Sequence, residues 1–112
     1  PFALGPVGLS LMHLGRLPDA ETALREMRDA LPDNIEPKIH LADLRVLEER
    51  NSEALELLGE VAPLVDSPSH IVYVGGLLEA LAGRPGFPAD AYRVASLAPP
   101  HVRAKWSVLA PR

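Results

Sequence analysis

The chain is expected to fold as an all-α superhelix, a right-handed solenoid of antiparallel helix pairs with about seven helices. Three observations point there. The sequence aligns to itself without gaps at a spacing of 34 residues. Its prolines and glycines fall mostly between apolar periodic stretches, as punctuation, although 12 prolines are many for a helical protein. No stretch alternates apolar and polar residues with period two, so no strand is expected.

The elements follow in order. Phe2 to Leu14 reads as a first helix whose start is weakened by Gly5 and Pro6. Gly15 stops it, and Pro18 suits the first turn of a second helix reaching Leu31. Asn34 caps a third, from about Ile35 to Glu49. Asn51 or Ser52 caps a fourth, Glu53 to Val65, in which Pro63 should disturb the last turn. Ser67-Pro68 is a strong start signal for a fifth, ending near Ala82. Gly83-Arg84-Pro85-Gly86 is the most loop-like stretch. Pro88 to Ala98 makes a sixth helix, Pro99-Pro100 breaks it, and His101 to Leu109 forms a short terminal one.

The internal spacing fixes which residues should meet. Gly8, Ala42, Gly76 and Ala110 are small in all copies. Val7, Leu41 and Leu109 are apolar, with Gly75 the exception. Leu24, Leu58 and Tyr92 are large, and Met27, Val61 and Ala95 follow three positions later. Ala20 and Ala54 are small, and Pro88 breaks that rule. Two helices approach closely only where a small residue faces a bulky neighbour, so Gly8 with Ala20 and Ala42 with Ala54 mark the crossings. On this register Ala54→Leu should destabilise more than Ala62→Leu. Trp106 shares the phase of Leu4 and Val72 and is expected to cover Tyr92 and Leu97.

These positions resemble the tetratricopeptide repeat. The resemblance covers nearly the whole chain, with units 1–34, 35–68 and 69–102 in one domain spanning 1–112. Residues 103–112 form a partial fourth unit or capping helix. Arg45 and Glu79 depart from the pattern, standing where a large apolar residue is usual. The resemblance implies that the first helix of each unit lines a concave groove. Its lining would be Phe2, Leu9, Met12 and His13, then Ile39, Asp43 and Val46, then Tyr73, Leu77 and Ala80. Some members clamp a chaperone's carboxyl terminus with Lys, Asn and Arg side chains. The matching positions here are Gly5, Leu9, His40, His70 and Val74, so that activity is not carried over.

Composition bounds the rest. A 47% hydrophobic content suits a folded domain, and a formal charge of −4 argues against non-specific nucleic-acid binding. There is no cysteine, hence no disulfide and no thiolate chemistry. No apolar run nears the roughly 20 residues of a membrane span. No signal segment opens the chain, and a cytoplasmic setting is expected. Pro1 in place of an initiator Met suggests a piece of something longer. Four histidines, His13, His40, His70 and His101, lack metal-binding spacing, so no metal or other cofactor is expected. Glu36 and Asp43 lie near His40 without a nucleophile, there is no nucleophile elbow, and Gly75-Gly76 lacks the continuation of a phosphate loop. An enzyme in its own right is not expected.

The function that follows is a protein–protein interaction module, a scaffold or chaperone-like adaptor, holding a partner's peptide or helix in the apolar groove. Met12 suits adaptable contact and Tyr73 anchoring. The rival is an oligomerisation or regulatory arm of a larger protein, such as a transferase or transcriptional regulator, in which the lining meets a second copy of the chain.

Overall fold

A computed structural model describes residues 17–106, and among them every regular element is helical. The elements are α1 (Leu17–Ala30), α2 (Glu36–Leu47), α3 (Asn51–Val61), a 3-10 turn (Ala62–Leu64), α4 (Pro68–Ala82), α5 (Pro88–Ala95) and α6 (Pro100–Arg103). No strand occurs among the described residues. The expected first helix and the groove positions Phe2, Leu9, Met12 and His13 lie outside them. The terminal helix expected over His101 to Leu109 is corrected: α6 ends at Arg103, and the chain turns through Ala104 and Lys105 to reach Trp106.

Local chemistry explains most boundaries. The Glu36 N–H donates to Asn34 Oδ1 at 2.9 Å just ahead of α2, but the N-cap is Ile35, without a side-chain cap bond, so Asn34 does not cap the helix as expected; it forms an Asx-type turn into it. The turn after α2 takes Glu49 into the left-handed region at φ 60°. Pro63 cannot continue an α-helix, and α3 gives way to the 3-10 turn after Val61. The His70 N–H donates to Ser67 Oγ at 3.3 Å with Pro68 in the first turn of α4, the pairing of cap and proline the sequence announces. The caps expected for α3 are corrected too. Asn51 and Ser52 do not cap α3; the helix starts at Asn51, whose Oδ1 instead accepts a hydrogen bond from Arg84 across the turn after α4.

Sequential helices pack on one another: α1 on α2, α2 on α3, and α4 on α5. Contacts of α2 and α3 with α4, and of α3 with α5, join the second and third units. Ala20 and Leu24 of α1 form a small apolar cluster with Leu41 and Leu44 of α2. The larger core runs from Ile39 and Val46 through Leu58 and Val74 to Val102 and Trp106. Ala20, Ala42 and Ala54 are fully buried, as crossing residues should be. Ala62 is equally buried in the same core, so the expected contrast between Ala54→Leu and Ala62→Leu has no basis: the 3-10 turn folds Ala62 inward.

Arg45 occupies its apolar position without being left unpaired. It is 6% exposed, and its guanidinium donates to Glu21 of α1 and, at 3.0 Å, to Glu48. A buried cation is tolerable only when neutralised in this way. The bond from Arg45 holds the Glu21 carboxyl below the usual carboxylate range.

Candidate functional site

Of the expected groove residues within the described chain, three belong to the interior. Ile39, Val46 and Leu77 are buried in the larger core, because α2 and α4 both pack against neighbouring helices there. Asp43 and Tyr73 are half-buried and Ala80 is exposed. The surface that remains open is therefore carried chiefly by α4, and its two edges are built differently.

The first edge is a polar seam with α2. The Tyr73 hydroxyl donates to Asp43 Oδ2. Its one proton is thereby used, so its oxygen accepts, and His40 Nδ1, 3.4 Å away, carries the N–H. The two rings meet edge to face with centroids 5.4 Å apart. That tautomer leaves the Nε2 lone pair toward Glu36, at 3.9 Å. Burial pushes the His40 pKa down, against the opposing pull of Glu36 and Asp43. Burial, with Asp43 beside it, pushes the Tyr73 phenol up. Near neutral pH both groups are uncharged, so this chain of donors and acceptors joins two helices. No cluster of three His, Cys, Asp or Glu side chains arranged for a metal occurs among the described residues.

The second edge is a clasp. Trp106, 5% exposed, donates from Nε1 to the Ile71 carbonyl at 2.7 Å and lays its indole on Gly75. A Cβ at Gly75 would stand 2.6 Å from the ring, so only glycine fits. Trp106 therefore does not cover Tyr92 and Leu97, as its phase suggests; it reaches back to α4, and both of those side chains are more than half exposed. Gly75, the exception among the apolar positions of the repeat, is the seat of the one tryptophan.

Between the edges, Val72, Gly76 and Ala80 stand on every fourth position of α4, all exposed, with Val72 at 75%. A Cβ on Gly76 would meet nothing within 4 Å, so packing inside the molecule does not require glycine there. An open cleft of about 410 Å³ runs along this face, lined by Ile71, Val72, Gly75, Gly76, Glu79 and Trp106 among others. Val72 and Gly76 were not singled out as surface residues by the repeat pattern, nor Trp106 as their buried neighbour. The readable signal was the mismatch between Gly75 and its apolar counterparts.

The chain matches no protein-family model, no curated protein and no solved structure. No helix among the described residues is long and apolar enough to cross a membrane.

Proposed function

We propose that this chain is a helical-repeat interaction module, tetratricopeptide-like in its superhelical arrangement, that docks a partner's peptide or helix on the exposed face of α4. The observation that carries the reading is the ridge Val72–Gly76–Ala80 beside the 410 Å³ cleft. An exposed glycine in mid-helix costs about 0.5–1 kcal/mol relative to alanine. Gly76 makes no internal contact that offsets the cost, whereas a partner's backbone approaching the ridge would use the space. Tyr73 gives the ridge a rigid edge, since its phenol is held by Asp43. Of the expected groove, Asp43, Tyr73 and Ala80 are retained in this role, and Val72 and Gly76 join them.

The test is partner capture from the source cell by the wild type, by Val72→Glu with Gly76→Glu, and by the reversal of Arg25 and Arg28 to Glu on α1. All altered side chains are exposed or at the surface. Capture should be lost with the α4 pair and kept with the α1 pair. Loss only with the α1 pair would place binding elsewhere. Conversion of a dimer to a monomer by the α4 pair would instead make the ridge a self-association surface, the oligomerisation-arm reading.

A further inference from the structure

Helix α2 carries both buried basic side chains of the described residues, His40 at 4% exposure and Arg45 at 6%, and their surroundings differ. The Arg45 guanidinium, always charged, donates to the carboxylates of Glu21 and Glu48. No carboxylate lies within hydrogen-bond distance of His40. Its Nδ1–H donates to the Tyr73 hydroxyl, and Glu36 stands 3.9 Å from Nε2 with half of its side chain exposed, where water screens its pull. Asp43 is already engaged by the Tyr73 hydroxyl. Arg45 is thus built in as a cation and His40 as a neutral ring.

A charged His40 is hard to keep in this place. Among the described residues, the titratable or charged groups that face it are Glu36 and Asp43 on α2 and Tyr73 and His70 on α4; α1 and α3 present none. The two carboxylates attract an imidazolium, but burial outweighs them, and His70 repels it across the seam once both rings are charged. A proton therefore favours any arrangement that lets water reach the ring. That arrangement need not be the unfolded chain. Helix α2 packs more extensively on α3, and α4 on α5, than α2 packs on α4. Asp43 and Tyr73 are only half-buried, so the seam already borders solvent.

We infer that the α2–α4 seam is an acid-operated joint: protonation of His40 parts α4 from α2 on the side of the relay, with the contacts of α3 on α4 and α5 as the hinge. Opening breaks the bond between His40 and Tyr73, admits water to the imidazolium and frees Tyr73 from its fixed place beside the α4 ridge. The joint closes again as pH rises, because neutral His40 returns to the relay. The device belongs to the fold whether or not the ridge receives a partner.

The chain has no cysteine, so a pair of spin labels can be introduced at exposed Leu47 of α2 and Ala80 of α4. A second pair at Leu47 and exposed Glu56 of α3 is the reference within one helix pair. Between about pH 7.5 and about pH 5, the α2–α4 distance measured by double electron–electron resonance should lengthen by about 2 Å and broaden. The α2–α3 distance and the helical circular dichroism should stay unchanged. His40→Gln, uncharged throughout and still able to donate to Tyr73, should hold the closed distance at both ends of the range. His70→Gln should reduce the opening, and His13→Gln with His101→Gln should leave it intact. An unchanged α2–α4 distance in the wild type, an equal change in the α2–α3 pair, or the same acid opening in His40→Gln would each overturn the inference. So would an opening lost only in the His13 and His101 variant.

Discussion

Helix α4 meets α2 through a relay of hydrogen bonds and meets the C-terminal segment through an indole seated on a glycine. The α2 seam is polar, half-buried and contains a histidine. The Trp106 clasp is apolar except for one N–H, which the Ile71 carbonyl satisfies. Burial of an aromatic side chain against matched backbone contributes more than a relay that exchanges water for protein partners. The clasp should therefore dominate stability, and the seam should set its dependence on pH.

The largest expected effect is on the clasp. Trp106→Ala removes the indole, opens a void over Gly75 and leaves the Ile71 carbonyl without its donor. It should cost about 3–5 kcal/mol in a denaturant melt. Gly75→Ala forces a methyl into the ring and should cost about 1–3 kcal/mol. The next residue supplies the contrast: Gly76→Ala meets open space and should stabilise by about 0.5–1 kcal/mol. Equal effects at the two glycines would dissolve the distinction between clasp and ridge. Combining Gly75→Ala with Trp106→Ala should show strong coupling, since the clash needs the ring.

The seam should respond less. Tyr73→Phe removes one hydroxyl that links Asp43 to His40 and should cost about 1 kcal/mol. The pH effect has a definite sign. His40 titrates below its ordinary 6.5 in the folded protein, so the unfolded chain binds the proton first. Its contribution is present above pH 6.5 and declines as pH falls through the lowered native pKa. Glu36 and Asp43 oppose the shift and His70 adds to it. The fall in denaturation midpoint below pH 6.5 should be smaller in His40→Leu than in the wild type. The Glu21–Arg45 pair acts in a separate window: the carboxyl's native pKa is depressed, so its contribution is lost only as pH falls below 4.5.

How much of this could be read from residues alone differs between elements. Helix type and most boundaries were legible because Ser67-Pro68 and Pro63 act locally through a cap and a lost donor, and Asn34 turns the chain into α2. The buried crossings Ala20 and Ala54 were legible from the 34-residue spacing. The groove was only partly so. A repeat pattern names which helix faces inward but not which of its positions the core consumes, and Ile39, Val46 and Leu77 were consumed. Trp106 followed the phase of Val72 in sequence yet packed where Gly75 left room, a choice made by shape between distant residues. The relay through His40 needed the rotamers of two helices and had no local signal.

The central claim is that the face of α4 centred on Gly76 receives a partner, and site-specific photocrosslinking tests it most directly. A benzophenone side chain placed at Gly76 has open space, and one placed at Glu26 on exposed α1 serves as the comparison. Irradiation in the source cell should give a discrete adduct from position 76, reduced when Val72 is also changed to Glu, and none from position 26. Adducts from position 26 alone, or indistinguishable adducts from both positions, would contradict the claim.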